Sequence, residues 1–274
     1  MELTSPKYIK ELLSKYQARP SKGLGQNFLI SESVLEKITD AAEIKPNDVI
    51  LEVGPGIGTL TVALAKKAGK VIAIEKDETM VKILQETLKD FKNVEVINAD
   101  ILSHELQIEN YKVIANIPYY LTSPLIRKFL ESSSRPREMV LMLQKEVAQR
   151  ICAKPGKMSL LAVSVQFYAE AKIVSVVSKN FFWPSPKVDS AIIKIIPAGK
   201  QNVAPDLFFK IVKAGFIQPR KQLAGNFSKT FEMDKQSVAD WLDENNINPK
   251  QRAETLSIKN WVELAKTLPD NQSK

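Results

Sequence analysis

The sequence predicts an α/β protein with a doubly wound, mostly parallel sheet of seven strands, followed by a small all-helical domain. From residue 31 onward, short runs rich in Val and Ile alternate with stretches whose apolar residues have helical spacing. These runs mostly lack polar alternation, as expected of strands that are covered on both faces. Strand–helix alternation of this kind is typical of a parallel sheet. After residue 199 only the helical spacing remains.

The predicted elements follow the chain in a simple order. Seven strands are predicted at residues 49–53, 71–75, 94–98, 112–115, 139–143, 173–177 and 191–196. Helices are predicted at residues 59–68 and 79–91 and, in the second domain, around 207–216, 238–242 and 258–268. Only a proline-punctuated loop at 182–186 separates the last two strands, which favours an antiparallel hairpin at the sheet edge.

These elements divide the chain into three parts. Residues 1–30 form a basic N-terminal segment, 31–198 the α/β domain and 199–274 the helical domain. We expect the first ~20 residues, which are polar and basic, to be mobile until a partner binds. Trp241 and Trp261 fall on apolar helical faces and are predicted core residues of the helical domain.

The composition narrows the function classes. With 44% hydrophobic and 26% charged residues the chain is globular rather than disordered or collagen-like. No apolar run is long enough to span a bilayer and no signal peptide is recognisable, so we expect a cytoplasmic protein. Cys152 is the single cysteine, which excludes a disulfide framework. Since His104 is the single histidine, neither a zinc site nor Ser-His-Asp chemistry is expected.

The charge is unevenly distributed along the chain. The net charge is +8, but residues 31–126 carry −5, whereas residues 1–30 carry +3 and residues 127–157 carry +5. This pattern predicts an anionic partner held by the basic flanks of an acidic centre. The alternative is that the excess charge serves only solubility.

A glycine-rich turn joins the first predicted strand to a helix. Gly54, Gly56 and Gly58 allow a tight turn and a close approach of backbone to a ligand at the positive end of a helix. Glu75 ends the next strand, where a carboxylate can accept hydrogen bonds from ribose hydroxyls. Asp100 and Asn116 follow the third and fourth strands, so four segments converge on one crevice. The G-x-G-x-G spacing is not that of dinucleotide enzymes, which favours a nucleoside with little or no phosphate over a purely structural turn.

Residues 116–119, Asn-Ile-Pro-Tyr, lie at the mouth of the fourth strand. The amine of a nucleobase is a poor nucleophile because its lone pair is delocalised into the ring. The side-chain oxygen of Asn116 and the carbonyl of Ile117 or Pro118 could accept its two hydrogens and hold it beside a methyl donor. The Tyr119 ring could stack on a base taken out of its helix. The alternative is a structural Asn-Pro loop with a packing tyrosine.

Together these motifs carry a family resemblance. Residues 52–56 and 116–119 resemble the methyltransferases that methylate adenine amines with S-adenosyl-L-methionine. The resemblance to small-subunit ribosomal RNA adenine dimethyltransferases is more specific and extends over residues 19 to 268. The segments that carry it are 22–29 (KGLGQNFL), 144–148 (QKEVA), 182–190 (FWPSPKVDS) and 252–256 (RAETL). It implies a Rossmann-like class I methyltransferase fold.

The resemblance also implies a cofactor and the residues that hold it. The cofactor is S-adenosyl-L-methionine, the product is S-adenosyl-L-homocysteine, and no metal is expected. Asn27 and Leu29 would close over the cofactor, Gly54 and Gly56 would face its methionine part, Glu75 its ribose and Asp100 its adenine amine. The residues assigned to the cofactor are therefore Asn27, Leu29, Gly54, Gly56, Glu75, Asp100 and Asn116. The catalytic assignments are Asn116, which would touch both donor and target amine, and Tyr119 and Phe182, which would sandwich the base.

The sequence departs from the family pattern at residue 219. Pro219 stands where the family usually has the first of two arginines, which removes a phosphate-binding charge from the helical domain. Met158-Ser159 replaces a common Tyr-Gly pair.

A group of basic residues follows the fourth and fifth strands and is predicted to contact RNA phosphates, the alternative being a solvated surface. Its members are Arg127, Lys128, Lys145, Arg150, Lys154 and Lys157.

The resemblance implies a monomeric enzyme that dimethylates two adjacent adenosines near the 3′ end of small-subunit rRNA within a pre-ribosomal 30S-type particle. One alternative is the related large-subunit rRNA methyltransferase that confers macrolide resistance, which the GQNFL and RAETL segments disfavour. Another is a non-catalytic RNA-binding factor on the same fold. The intact Asn116–Tyr119 motif disfavours that reading.

Overall fold

The computed structural model of the chain describes residues 3–21, 23–199 and 201–269, so Lys22 of the KGLGQNFL segment lies outside the described residues. The chain forms two compact units. The first comprises Met1–Ala148 and Ala171–Pro197, and the second comprises Gln149–Glu170 and Ala198–Lys274. No described helix has the length and apolar character needed to cross a membrane.

The helices and strands follow one another in the order of the sequence. In the first half of the chain they are α1 (Pro6–Lys15), β1 (Phe28–Leu29), α2 (Glu32–Ala41), β2 (Val49–Val53), α3 (Thr59–Ala65), β3 (Lys70–Glu75), α4 (Glu78–Thr87), β4 (Val94–Asn98), β5 (Tyr111–Asn116) and α5 (Thr122–Glu131). In the second half they are β6 (Glu138–Gln144), α6 (Lys145–Ile151), α7 (Leu160–Gln166), β7 (Ala169–Val177), β8 (Phe182–Trp183), β9 (Ser190–Pro197), α8 (Pro205–Gly215), α9 (Leu223–Phe231), α10 (Lys235–Glu244) and α11 (Ile258–Lys266).

Seven of these strands form the predicted sheet, in the order β4-β3-β2-β5-β6-β9-β7. The five strands β2 to β6 pair in parallel, whereas β9 lies antiparallel to β6. All seven predicted strands are confirmed, and β7 begins four residues earlier than predicted, at Ala169. The last two strands are neighbours, as predicted, with β7 at the edge. The parallel strands therefore end at one edge of the sheet, where the site residues were predicted.

The N-terminal segment is more ordered than its polarity suggested. Helix α1 begins at Pro6, and the Ser5 side chain accepts a hydrogen bond from the Tyr8 amide. Ile9, Leu12 and Leu13 are buried and pack in one cluster with residues of β1, α4 and the glycine-rich turn. Their spacing of three and four residues is that of an apolar helical stripe. The prediction of a mobile segment is therefore wrong for these residues. It was based on the overall polarity of the segment, in which this apolar stripe is surrounded by charged side chains.

A two-stranded ribbon, which the sequence did not predict, joins the N-terminal segment to the loop after β7. Strand β1 pairs antiparallel with β8, placing Phe28 opposite Trp183 and Leu29 opposite Phe182. The Phe28 and Trp183 rings stack with centroids 6.4 Å apart. The Ile30 amide extends the ribbon by donating to the Phe181 carbonyl at 2.9 Å. Two segments far apart in the sequence thereby share one hydrogen-bonded element.

At the opposite end of the sheet, beside the amino ends of the parallel strands, lies a network of ion pairs in which Lys112, Lys194 and Glu138 are nearly buried and Glu43 is exposed. Lys112 Nζ lies 3.1 Å from Asp48 Oδ2 and 2.9 Å from Glu138 Oε1. Lys194 Nζ lies 3.1 Å from Glu138 Oε2 and 2.9 Å from Glu43 Oε1. Because nearly buried charges are costly unless paired, this arrangement fixes the start of several strands relative to one another.

The second unit has its own helical core. Met158, Val163 and Phe167 belong to it, and the Phe167 and Phe208 rings stack with centroids 3.9 Å apart. Residues 149–170 were predicted to belong to the α/β domain; the structure assigns them to the helical unit because these side chains complete its core. Trp241 and Trp261 are buried in the same core, as predicted. Helix α9 was not predicted.

Candidate active site

One cavity of about 210 Å³ lies in the first unit, at the carboxyl ends of β2, β3 and β5. Segments from the chain before β1 and from β8 complete its wall. The structure brings together all nine predicted site residues, which were drawn from separate parts of the sequence. They are Asn27, Leu29, Gly54, Gly56, Glu75, Asp100, Asn116, Tyr119 and Phe182.

The glycine-rich turn forms the floor of this cavity. Gly54 and Gly56 have φ values of +67° and +60°, a conformation that side-chain-bearing residues rarely adopt. A Cβ atom on Gly54 would lie 3.4 Å from Pro118 Cδ, and one on Gly56 would lie 3.3 Å from Phe28 Cε1. The absence of side chains at Gly54 and Gly56 thus leaves a space against Pro118 and Phe28, called here the glycine cradle, which a side chain would occupy.

Glu75 at the end of β3 shapes this turn while facing the cavity. Its Oε2 accepts a hydrogen bond from the Gly56 amide at 3.1 Å, and its Oε1 accepts one from the Asp77 amide at 2.9 Å. Burial raises the pKa of Glu75 above its usual range, although both amide hydrogen bonds oppose the shift. Each carboxyl oxygen retains acceptor capacity for a further hydroxyl donor.

Asp100, two residues beyond β4, has a different environment. Its Oδ2 accepts a hydrogen bond from Lys76 Nζ at 2.8 Å, and its Oδ1 accepts one from the Leu102 amide at 2.9 Å. The hydrogen bond from Lys76 is the main reason that the pKa of Asp100 is lowered. Lys76 and the half-exposed Tyr120 also line the cavity, and sequence reasoning missed both. The sequence signal that could have identified them is their position directly after the predicted site residues Glu75 and Tyr119.

Asn27 connects the N-terminal loop to the Asn-Ile-Pro-Tyr motif. Its Nδ2 donates to the Gly25 carbonyl at 2.9 Å, which closes a tight local turn. Its own backbone carbonyl accepts from Asn116 Nδ2 at 3.4 Å. Gly25, with φ of +64°, lies against Pro118, to which a Cβ on this glycine would approach within 3.5 Å. The two motifs therefore form one wall of the cavity.

Hydrogen bonds to neighbouring strands of the sheet fix the backbone after Asn116 and the hydroxyl of Tyr119. The Ile117 amide donates to the Met142 carbonyl at 3.0 Å, which continues the β5–β6 pairing past Asn116. The Tyr119 hydroxyl lies 2.9 Å from Ser190 Oγ at the start of β9. Asn116 Nδ2 donates to the Asn27 carbonyl, so Oδ1 is the amide atom that can accept a hydrogen bond from a ligand.

Phe182 is a buried part of the cavity wall. Only 4% of its surface is exposed, and it packs in the hydrophobic cluster that contains Leu29. The preceding Phe181 is 40% exposed but does not line the cavity. Phe182, and not Phe181, therefore belongs to the cavity wall.

Glu52, the first residue of the 52–56 motif, was given no role from the sequence, yet its environment is the most unusual in the cavity. Its residue surface is 1% exposed, and its Oε2 has no hydrogen-bond partner among the described residues. Burial raises the pKa of Glu52 to about 8; the nearby Thr61 hydroxyl opposes this shift, and Glu75 adds to it. A buried, unpartnered oxygen and a glycine cradle are the features expected where a polar ligand completes a site.

The basic residues belong partly to each unit. In the first unit, Arg127 pairs with Glu131 at 2.9 Å, and Lys128 donates to the His104 carbonyl at 2.7 Å, so both are engaged locally. In the second unit, Arg150, Lys154 and Lys157 are exposed. The predicted cluster is therefore not uniformly available to a ligand.

The second unit also contains a basic groove, a depression around the turn that holds Pro219. Five cationic side chains line it, and no Asp or Glu is among its lining residues. Asn226 supports it by donating to the Gly215 carbonyl at 2.6 Å. The residues of the basic groove are Gln218, Arg220, Lys221, Gln222, Gly225, Asn226, Lys229, Lys250 and Arg252.

Over residues 3–21, 23–199 and 201–269, no group of three or more His, Cys, Asp or Glu side chains is arranged to hold a metal ion. Cys152 and His104 do not line the cavity.

Comparison with known proteins gives concordant matches over nearly the whole chain. The family model described as ribosomal RNA adenine dimethylase matches residues 17–269. A ribosomal RNA small subunit methyltransferase A from Dehalococcoides mccartyi is 46% identical over 270 residues, covering 96% of this chain and 93% of the relative. The protein of the same name from Alkaliphilus metalliredigens is 42% identical, covering 99% of both chains.

Solved structures extend the comparison to the fold. A dimethyladenosine transferase from Plasmodium falciparum has a TM-score of 0.75 at 29% identity, covering 86% of this chain and 95% of that one. The 23S rRNA methyltransferase ErmE has a TM-score of 0.73 at 28% identity, covering 88% and 98%. The predicted Rossmann-like methyltransferase fold is thereby confirmed.

Proposed function

This chain belongs to the ribosomal RNA adenine dimethylase family, and from that membership we propose how its cavity performs the family reaction. The protein is an S-adenosylmethionine-dependent rRNA adenine dimethyltransferase that acts on small-subunit rRNA. We propose that it converts two adjacent adenosines near the 3′ end of that RNA to N6,N6-dimethyladenosine. The observation that carries the proposal is that the nine site residues predicted from the sequence converge on one cavity.

The cofactor half of the cavity fits S-adenosylmethionine. The glycine cradle would receive its methionine part, and Glu75, with acceptor capacity left on both oxygens, would bind the ribose hydroxyls. Asp100 would accept from the adenine amine, and Asn27 and Leu29 would cover the bound molecule. When bound, the cofactor supplies an electrophilic methyl group on its sulfonium.

The chain's own contribution to the chemistry is to orient the target amine. Asn116 Oδ1, the acceptor atom of an amide whose Nδ2 is bound to the Asn27 carbonyl, would accept one amine hydrogen, and the carbonyl of Ile117 or Pro118 would accept the other. Fixed acceptors at these positions favour the rehybridised, nucleophilic form of the nitrogen and cost no reorganisation during reaction. Because the pairing of Ile117 with β6 continues the sheet past Asn116, this geometry is set before the substrate arrives.

The target base would lie between Tyr119 and Phe182. The Ser190 contact holds the Tyr119 ring at its hydroxyl end, and burial in the ribbon holds Phe182. A flipped base stacked between two fixed aromatic rings presents its edge to Asn116.

The basic groove of the second unit would contact rRNA phosphates. Arg220, Lys221 and Lys229 lie on its lining without a carboxylate among them. Pro219 replaces a cation at this turn, yet five cationic side chains remain in the groove. Exposed Arg150, Lys154 and Lys157 would add further phosphate contacts, which give affinity rather than sequence information.

Two alternatives make different predictions. The fold is nearly as similar to a 23S rRNA methyltransferase as to a dimethyladenosine transferase, so the fold alone does not distinguish the subunits. The 46% and 42% identical relatives both carry the small-subunit name, which favours small-subunit rRNA. A non-catalytic RNA-binding role is disfavoured by the open cavity beside Asn116. We further propose that the protein acts as a monomer on a 30S-type particle in the cytoplasm, where that substrate is assembled.

The test is methylation of small ribosomal subunits from cells that lack this activity. Purified protein and labelled S-adenosylmethionine should yield about four methyl groups per particle, two on each of two neighbouring adenosines, as read by mass spectrometry of nuclease fragments. Large subunits should remain unlabelled, and the Asn116→Ala variant should serve as the inactive control. Label in large-subunit rRNA, or no label in either, would contradict the proposal.

A further inference from the structure

The half-buried side chain of Gln26 closes the loop that precedes β1 and joins it to helix α4. Its Oε1 accepts a hydrogen bond from the Ser21 amide at 2.8 Å, and its backbone amide donates to the Ser21 carbonyl at 3.1 Å. Its Nε2 donates to Asp77 Oδ2 at 3.0 Å. One side-chain amide thus uses its oxygen within the loop and its nitrogen across to the helix.

Asp77 connects this hydrogen bond to the cofactor half of the cavity. Its Oδ1 accepts from the Thr79 and Met80 amides at 2.9 and 3.4 Å and so caps the start of α4. Its own amide donates to Glu75 Oε1 at 2.9 Å. Gln26 lines the cavity, whereas Asp77 does not. Two successive hydrogen bonds therefore link the loop to the carboxyl group that is proposed to bind the ribose.

On its other side the same loop meets the amide that is proposed to orient the target amine. Asn27, the next residue after Gln26, accepts a hydrogen bond on its carbonyl from Asn116 Nδ2 at 3.4 Å. Because Nδ2 and Oδ1 belong to one planar group, a shift of the Asn27 carbonyl turns Oδ1 as well. A displacement of about 1 Å at a reacting centre can cost ~10²-fold in rate. The position of the loop therefore matters for methyl transfer.

We propose that Gln26 is a positioning residue for methyl transfer. Its hydrogen bond to Asp77 fixes the loop relative to the cofactor half, so that the Asn27 carbonyl holds the Asn116 amide in its working orientation. The inference rests on the proposed function, which assigns the amine-accepting role to Asn116. Gly23 and Gly25 give the loop conformational freedom, and a hydrogen bond to a carboxylate is strong enough to restrict it.

The experiment exchanges the polarity of this hydrogen bond in the full-length protein. Gln26→Glu alone places two carboxylates in contact, and Asp77→Asn alone places two amide nitrogens there or leaves the Ser21 amide without an acceptor. Asp77→Asn keeps the oxygen that caps α4. The two changes together restore one donor and one acceptor with their roles exchanged, and they leave the Ser21 amide an acceptor.

We expect each single change to lower single-turnover methylation of small subunits at saturating cofactor by about 10–100-fold. The combination should recover to within about fivefold of the unmodified protein. A combination that is as impaired as the weaker single variant, or single variants that keep the full rate, would overturn the proposal.

Amide hydrogen exchange of the free protein gives a readout that needs neither cofactor nor rRNA. The hydrogen-bonded amides of Ser21, Leu24 and Gln26 should exchange faster in each single variant and return towards the unmodified rate in the combination. Faster exchange without loss of methylation would refute the positioning role alone. Absence of methylation by the unmodified protein would instead refute the proposed function.

Tyr16→Phe is the matched control. It removes the hydrogen bond of 2.6 Å from the Tyr16 hydroxyl to Glu86 Oε2, which also joins the N-terminal segment to α4. Neither residue lines the cavity. We expect this variant to lower the melting temperature about as much as Gln26→Glu does, while its methylation rate stays within about twofold. An equal loss of rate in both variants would make the Gln26 hydrogen bond a purely structural contact.

Discussion

The Tyr119 hydroxyl and Ser190 Oγ lie 2.9 Å apart, one at the end of the catalytic motif and the other at the start of β9. Ser190 is fully buried, so this contact fixes the outer end of the ring from inside the protein. The ring proposed to stack on the target base is thus anchored to the antiparallel end of the sheet rather than to its own loop alone.

Removing this hydrogen bond should cost little compared with removing the ring. Tyr119→Phe and Ser190→Ala each delete one partner, and we expect single-turnover methylation to fall about 2–10-fold, the equivalent of one hydrogen bond. Tyr119→Ala should fall by more than 100-fold because the stacking surface is lost. If Tyr119→Phe and Tyr119→Ala were equally impaired, the hydroxyl rather than the ring would be the functional group.

Asn116→Ala should reduce methyl transfer by about 10²–10³-fold with little change in rRNA affinity. The lost acceptor acts on an amine whose geometry changes during reaction, so the transition state is affected more than the bound substrate. Single-turnover methylation of small subunits measures the rate, and a thermal melt checks folding. A folded variant that keeps more than a tenth of the rate would identify Asn116 as a structural turn residue.

Glu75→Ala should weaken cofactor binding by about 1.5–3 kcal/mol, because the ribose hydroxyls lose a charged acceptor. The Gly56 and Asp77 amides lose their partner as well, so a lower melting temperature is expected. Glu75→Gln keeps one carbonyl acceptor and should lie between the two proteins in calorimetry. Unchanged affinity in the alanine variant would remove Glu75 from the cofactor site.

Charge reversal of Arg220, Lys221 and Lys229 should weaken rRNA binding and flatten its dependence on salt. Each phosphate contact that is lost reduces the slope of log affinity against log salt by about 0.7–0.9. Binding of S-adenosylhomocysteine should not change, since the groove residues do not line the cofactor cavity. Reversal of the exposed Lys213, Lys235 and Lys259 is the matched control. A slope that changes equally in both triple variants would reduce the groove to general surface charge.

Asp48→Asn should lower the free energy of unfolding by about 1.5–3 kcal/mol at pH 7, because Lys112 and Arg137 lose a charged partner. The loss is limited because Lys112 keeps its contact with Glu138. Burial alone would raise the pKa of Asp48, but hydrogen bonds from the Lys45 amide, Arg137 and Lys112 hold it below its usual range. Its stabilisation is therefore complete above the unfolded pKa of about 3.9 and is lost as pH falls through the lower folded value. Urea unfolding from pH 7 to pH 2 should show the two proteins converging at the acid end.

The sequence contained enough local information to predict the sheet and most of the site. Val- and Ile-rich runs mark buried strands wherever they occur, and parallel topology brings strand ends such as Glu75 and Asn116 together without further information. Asn27 and Phe182 could be assigned only through the family resemblance, because no local pattern places their segments beside the sheet.

The features that were missed depend on contacts between distant segments. The β1–β8 ribbon consists of two short strands with no periodicity to detect, and residues 149–170 join the helical core only through side chains such as Phe167. Glu52 lies in the 52–56 motif, but the residue pattern carries no sign of its unusual environment. That environment consists of its burial and of the missing hydrogen-bond partner of one oxygen, which composition and spacing do not encode.

The β1–β8 ribbon has a consequence for the order in which the protein is made. A chain emerging from the ribosome presents residue 28 early, but the partner strand at residue 183 is synthesised only after most of the sheet. Until then strand β1, which forms part of the cavity wall, lacks its pairing partner, although the glycine-rich turn can already form. A nascent or truncated chain that ends before residue 182 therefore contains the five parallel strands β2 to β6, but it lacks β9, which lies between β6 and β7, and its cavity is unfinished. The cavity wall is thus completed late in synthesis, when residues 182–183 pair with β1 and join the two ends of the α/β unit.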